Sequence, residues 1–341
     1  MKISEKKYLK YSLCREMYET AGLVRSFDPN ELLAFAKELS GRKKLLLTGE
    51  GSSRIFPAKN AISSFLKNST DKTVITEGCF QAMEYDLSDF AVLGLSNSGR
   101  THELLSLLGK LKDQGHTSLH SITSFAGSLV TNISKSHVLS CGPEEAVAAT
   151  KSVIEQALAL EVLTRFFAGD FSPLTESYKD GLRQLADQIE QTLSADIQSD
   201  IVNAFAKASK VYFAGRNNGV AEELALKTNE ITRRKSMFLE GTFLLHGIEE
   251  VMDENEIVIL IDPWPAEEEK IKKVIMQNAG VQVFAISSRQ TSFPAILIHE
   301  STEFQGYIQL VAGWNLLVEA GLSLGINVDK GLRARKIGNE G

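Results

Sequence analysis

The stretch that decides the architecture is FAVLGLSNSGRTHELLSLLGKLKDQG, Phe90–Gly115. It opens on an apolar run that ends at Ser96 and closes on HELLSLLGKLKDQG, whose leucines recur at helical spacing. Between them LSNSGRT, Leu95–Thr101, offers hydroxyls on Ser96, Ser98 and Thr101 and a glycine at Gly99. A strand that runs into a short turn and straight on into a helix is the repeating unit of an α/β sheet. Taken singly, the turn reads as an ordinary polar turn. It also has what an anion cradle needs: small residues that let the backbone approach a ligand, hydroxyls, and free amides at a helix start.

The alternation recurs on both sides. KLLLTG ends at Gly49, TVIT at Thr76 and SHVLSC at Cys141, with helical stretches such as IFPAKNAISSFL and VAATKSVIEQALALEVLTRFFAG among them. Continuous apolar strands alternating with helices predict a parallel sheet covered on both faces. A polar helical stretch over 174–208 has no strand-like run and reads as a connection. The pattern then restarts with KVYFAG to Gly215, EIVILID to Asp262, VQVFAIS to Ser287 and AILIH to His299. KLLLTGEGSS and KVYFAGRNNG open alike, which predicts an internal duplication of one α/β unit. Before the first strand, spaced Tyr8, Leu13 and Met17 suit a helix packed on something else. DPNELLAFAKEL, from Asp28, follows with a cap-like Asp and an early Pro. The tail after Gly325 is polar and reads as irregular.

With 341 residues and 43% hydrophobic content, the chain can fill two cores of ordinary size. Its net charge is −6, and no block of Lys or Arg points to nucleic acid. Any bound anion is therefore small and locally held. Cys14, Cys79 and Cys141 lie far apart, with neither metal-ligand nor disulfide-framework spacing, and their odd number fits a reducing cytosol. MKISEKKYLK lacks the apolar core of a signal peptide. No apolar run approaches the ~20 residues needed to span a bilayer. A cytoplasmic protein without membrane or nucleic-acid partners, metal or cofactor is expected.

In a doubly wound sheet, ligands bind off the carboxyl ends of the strands. Three turns of the first half fall there: GEGSS at Gly49–Ser53, the Ser96–Thr101 loop, and CGPEEAVAATK from Cys141. Three at one edge favour a phosphate site over coincidence. In the second half the loop equivalent to LSNSGRT is IDPWPAEEE, whose glutamates repel an anion. Further on, Glu223, Lys227 and Glu230 share one helical face. A solvated salt-bridge face is the ordinary outcome of that spacing. His246 sits in the apolar FLLHG, where a core histidine or a cap is the ordinary reading. Composition makes none of these catalytic.

Taken together, these motifs resemble the double sugar-isomerase-domain (SIS) family over roughly Ser26 to Lys336. That family includes the isomerase half of glucosamine-6-phosphate synthase, stand-alone glucosamine-6-phosphate deaminases and fructosamine-phosphate deglycases. GEGSS is similar to its first loop, SNSGRT to its Ser-Gln-Ser-Gly-Glu-Thr signature, and GPEEAVAATK to its third motif ending Val-Ala-Ser-Thr-Lys. The resemblance implies two tandem three-layer αβα domains, each with a mainly parallel, flavodoxin-like doubly wound sheet of about five strands. The expected divisions are a helical segment 1–25, a phosphate-binding domain 26–175, a helical connection 176–208, a second domain 209–325 and a tail 326–341. It implies a sugar phosphate held by Ser52, Ser53, Ser96, Asn97, Ser98, Thr101 and Val147. ALKTNEI resembles the family's ALKLKEI, which implies Glu230 as the proton-transferring base with Lys227 one turn earlier. LLHG resembles LKHG, which implies His246 as the ring opener, supplied across a subunit boundary in a homodimer. NVDKGLRARK resembles the family tail, whose closing lysine falls on Lys336.

The departures are informative. Arg100 replaces the signature's Glu, and Gly331 to Arg335 replace Pro-Arg-Asn-Leu-Ala. Nothing matches the glutaminase part of the synthase, so ammonia drawn from glutamine is not expected. Aldose–ketose interconversion moves a proton between adjacent carbons, which one carboxylate can do as base and then as acid. Histidine suits the ring-opening shuttle near neutral pH. The expectation is a cofactor-independent phosphosugar isomerase that deaminates an amino-sugar 6-phosphate such as glucosamine 6-phosphate. The alternatives are a fructosamine-6-phosphate deglycase, with Arg100 and Arg335 on an extra carboxylate, and a non-catalytic phosphosugar sensor.

Overall fold

The computed structural model describes residues 1–68 and 70–333. Two compact units emerge, each discontinuous in the chain. Among the described residues, one comprises 22–144 and 149–184, and the other comprises 1–21, 145–148 and 185–333.

The first unit carries β1 (Lys44–Gly49), β2 (Thr73–Glu77), β3 (Phe90–Leu95), β4 (Leu119–Thr123) and β5 (Lys135–Val138). They form one sheet in the order β2-β1-β3-β4-β5, and every neighbouring pair is parallel. Leu46 and Val92 point to one face and pack with Leu104, Leu107 and Leu108 of helix His102–Asp113. Leu45, Leu47 and Leu93 alternate to the other face and are buried too. Apolar residues on both faces are what a parallel sheet between two helical layers requires. Helices Ile55–Phe65 and Lys151–Ala168 pack together in this unit, and the second is buried around nearly its whole circumference.

The second unit carries β6 (Lys210–Gly215), β7 (Lys235–Glu240), β8 (Ile257–Ile261), β9 (Gln282–Ser287) and β10 (Ala295–Leu297). The order β10-β9-β8-β6-β7, again all parallel, is that of the first sheet read from the other edge. The duplication inferred from the opening motifs is thus a repeat of topology. Tyr212, Val258 and Val283 face Ile271 and Ile275 on one side. On the other lie helices Val220–Thr232 and Gln305–Ser323, packed against each other. Gly313 permits that approach, because a Cβ there would run into the Leu224 side chain.

The strand expected to end at Cys141 stops at Val138. Beyond it, the Ser140 and Cys141 amides donate to the Glu155 carboxylate at 2.8 and 2.7 Å instead of to a neighbouring strand. The helix expected from Val147 starts at Lys151. Glu144 holds its start, accepting from the Thr150 amide at 2.7 Å, from the otherwise orphaned Ser152 amide at 3.5 Å and from the Ser152 hydroxyl at 2.6 Å. The three cysteines are free and buried. Burial pushes the Cys14 and Cys79 thiols up to about 12. Among the described residues no helix is long and apolar enough to cross a membrane.

Candidate functional site

The hydroxyl-bearing loops lie in the first unit, at the carboxyl ends of β1 and β3. The β3 loop is tied down from within. Ser96 Oγ is 2.7 Å from Thr101 Oγ1 and accepts the Gly99 amide at 3.0 Å. Ser96 is 1% exposed, so its hydroxyl shapes the turn and Ser98 and Thr101 carry the partly open hydroxyls. Ser98 Oγ accepts the Arg100 amide at 3.2 Å, and Arg100 itself is exposed. The Asn97 carbonyl accepts from the Ser124 amide at 3.0 Å and from Thr123 Oγ1 at 3.2 Å. The Asn97 side chain bonds Ser124 Oγ and donates to Glu144 at 3.4 Å. Ser52 and Ser53 stand on the single turn Gly51–Ser53 after β1, and Ser53 Oγ accepts the Asn97 amide at 3.4 Å.

Glu144 therefore joins two of the three loops, binding Asn97 of the β3 loop and the start of helix Lys151–Ala168 at once. The signal was present in GPEEAVAATK, but a carboxylate beside a suspected anion site reads as repulsive until its amide and hydroxyl donors are seen.

Gly99 adopts φ +63°, and a Cβ there would come 2.6 Å from Ser128 Cβ and 2.8 Å from Thr123 Oγ1. A left-handed residue other than glycine costs about 1–2 kcal/mol before any clash. Gly99→Ala is expected to lose at least that much stability, measured as a lower urea midpoint. An unchanged midpoint would show that the turn relaxes without cost.

The equivalent edge of the second unit is filled. After β8, Asp262 takes φ +47° and its carbonyl accepts from Arg216 at 2.7 Å. The same guanidinium lies 4.5 Å from the centre of the Trp264 ring. An indole and a guanidinium occupy the place where the first unit has its serines.

What the second unit offers is a cavity of about 480 Å³ beside helix Val220–Thr232. Glu230 and Asn229 line it from the helix, together with Arg233 just beyond its end. Arg234 and Lys235 follow, and Val147 and Gly331–Arg333 close the far wall. The Val147 amide donates to the Asp329 carbonyl at 3.0 Å, and Arg233 reaches the Lys330 carbonyl at 3.0 Å. Asp329 is itself fixed by the Ser12 and Leu13 amides at 3.0 and 2.8 Å. Glu230, Val147 and the start of the tail, matched to one site by resemblance, thus meet in one cavity. Arg335 and Lys336 lie outside the described residues.

The solvated salt-bridge face expected of Glu223, Lys227 and Glu230 is corrected by the structure. Glu223 and Lys227 are fully buried, and the Glu230 side chain keeps 24% exposure. Lys227 Nζ lies 3.3 Å from Glu223 Oε1 and 2.8 Å from Glu230 Oε2. Their helix packs against helix Gln305–Ser323 and against β6 and β7, and most of the face where water was expected is interior. The result is a buried ammonium that holds one carboxylate in the core and a second at the cavity wall. His246 is also unlike its ordinary reading: it is exposed, with Thr242 Oγ1 3.5 Å from Nε2, and does not line the cavity.

No protein-family model matches the chain. Isomerizing glutamine–fructose-6-phosphate aminotransferases do match in sequence. That of Neisseria meningitidis is 28% identical over 263 residues, 74% of this chain and 43% of that protein. That of Corynebacterium glutamicum is 28% identical over 194 residues, 55% of this chain and 31% of that protein. The chain spans about a third to a half of the length of the curated relatives it matches. Among solved structures, the C-terminal domain of a glucosamine–fructose-6-phosphate aminotransferase from Francisella tularensis superposes with a TM-score of 0.78 at 19% identity. The match covers 96% of this chain and all of that one. A glucosamine-6-phosphate deaminase from Thermotoga maritima superposes at 0.71 and 19% identity, covering 95% and 98%. Two like sheets in tandem, the ordered loop motifs and these relatives make the chain similar, in fold and in sequence, to double sugar-isomerase-domain (SIS) proteins.

Proposed function

We propose that the protein is a phosphosugar aldose–ketose isomerase that releases ammonia from an amino-sugar 6-phosphate. The observation that carries this reading is Glu230, set at a cavity wall by a buried lysine 2.8 Å away. A carboxylate so placed is oriented, partly open, and free of any need for metal to act on a carbon acid. It takes the proton from C2 of the open-chain aldose and returns it at C1. With an amine on C2, that transfer yields a C2 imine. Water then adds to the imine and ammonia leaves, giving the ketose phosphate. Ser52, Ser53, Asn97, Ser98 and Thr101 hold the phosphate, which fixes the register of the reacting carbons and supplies binding energy remote from them. Val147 borders the sugar. His246, exposed on its own chain, opens the ring of a substrate bound to the neighbouring subunit of a homodimer.

Incubation with glucosamine 6-phosphate is expected to yield ammonia and fructose 6-phosphate in equal amounts, followed by coupled assays of both. Absence of product from this and every related amino-sugar phosphate would rule out the deaminase reading.

A further inference from the structure

We propose that helix Ser12–Ser26 clamps the cavity beside Glu230, and that Glu16 and Asp329 are positioning residues that fix two of its walls. The inference rests on the phosphosugar reading of that cavity. Val147 forms one of these walls and Gly331–Arg333 the other. Neither segment is part of a helix or strand, so each keeps its shape only through what it is tied to.

Both are tied to the same short stretch at the start of helix Ser12–Ser26. On the loop side, the Glu16 carboxylate accepts the Glu145 amide and, at 3.4 Å, the Ala146 amide, the two residues before Val147. Ser12 Oγ donates to the Glu145 carboxylate at 2.6 Å, and Arg15 reaches both groups, at 2.8 and 3.4 Å. On the tail side, the Asp329 carboxylate accepts the Ser12 and Leu13 amides at 3.0 and 2.8 Å, one on each oxygen. Those amides open the helix and have no partner within it. The positive end of the helix dipole also favours a carboxylate there. The bond from the Val147 amide to the Asp329 carbonyl, at 3.0 Å, joins loop and tail directly. Helix, loop and tail thus form a closed triangle.

The helix is the fixed side of that triangle. Tyr8, Leu13 and Met17, whose spacing announced a helix packed on something else, are buried, as is Ala21. Glu16 is 5% exposed, so water does not stand in for the amides it holds. Arg233 also reaches the Asn327 and Lys330 carbonyls, at 3.4 and 3.0 Å, but through a long exposed side chain whose bonds water can replace. Among the described residues neither Glu16 nor Asp329 lines the cavity. Their role is geometric: the clamp sets how closely Val147 and the tail approach a sugar whose reacting carbons face Glu230. The phosphate, assigned to loops of the other unit, is held independently of it.

The test combines hydrogen exchange, read by mass spectrometry, with binding and turnover in the full chain. Asp329→Asn keeps the side chain's shape but loses one of the two amides, since each oxygen carries one. Exchange over 145–148 and 327–333 is expected to quicken roughly tenfold, with β6 and β8 unchanged. KM for glucosamine 6-phosphate is expected to rise roughly tenfold, with kcat within a few-fold and affinity for inorganic phosphate unaltered. Glu16→Gln is expected to act in the same direction on the same two segments, and Asp329→Glu to restore part of the loss. Unchanged exchange in both segments would overturn the clamp. Exchange that quickens equally in β6 and β8 would make the two carboxylates purely stabilising and overturn their positioning role. So would a wild-type KM with loosened walls. A wild type that binds neither inorganic phosphate nor glucosamine 6-phosphate would overturn the phosphosugar reading, and the positioning roles with it, whatever the variants show.

Discussion

Glu230→Gln is expected to slow turnover of the amino-sugar phosphate by roughly 10²–10⁴-fold, the usual contribution of a positioned acid–base group. Phosphosugar affinity is expected to stay within a few-fold of wild type. The substitution keeps the side chain's shape and an oxygen that can still accept from Lys227 Nζ, now 2.8 Å away. It removes only the ability to take up and return a proton. The phosphate is assigned to residues of the other unit, so its grip is independent of position 230. Steady-state ammonia release gives the first quantity and calorimetry the second. Full activity in this variant would refute Glu230 as the base. Loss of binding in step with activity would make it a substrate-holding residue instead.

Lys227→Met is expected to produce the largest loss of stability, about 3–5 kcal/mol, because breaking a buried ion pair leaves a charge without its counterion. The ammonium removed is 3.3 Å from a Glu223 carboxylate that is fully buried. Methionine fills much of the same volume, so the loss is electrostatic rather than a cavity effect. The companion variant Glu223→Gln/Lys227→Met is expected to recover a large part of it, since removal of both charges is often close to neutral. Urea-induced unfolding at pH 7 measures both. A double variant no more stable than the single one would show that the lysine acts by packing alone. Recovered stability with activity still absent would mean that Lys227 positions Glu230 for turnover.

Most of the fold was legible because the sequence carries it redundantly. The central strands β1, β3, β6, β8 and β9 are buried on both faces and therefore appear as unbroken apolar runs. Two strands did not announce themselves. β4 is LHSIT, and its polar residues are buried in pairs: Ser121 Oγ lies 2.7 Å from Ser136 Oγ, and His120 Nε2 lies 3.2 Å from Ser118 Oγ. Such polarity mimics a loop until its partners are in place. β7 is KSMFLE, an edge strand whose outer positions stay exposed, so it needs no continuous apolar run.

The site divides along the same line. By itself the sequence determined the α/β alternation, the duplication, the serine-bearing loop found in only one half, and the spacing that puts Glu223, Lys227 and Glu230 on one face. These follow from local periodicity and from residue types whose conformational demands are met within a few positions. Only the tertiary structure decided that this face is interior rather than solvated. It also decided that Glu144 is a donor-satisfying hub and that His246 stands outside the cavity. It gathered Val147, Arg233–Lys235 and Arg333 around Glu230. Burial and encounter between distant segments depend on which helix covers which face, and spacing within a single helix carries no record of that.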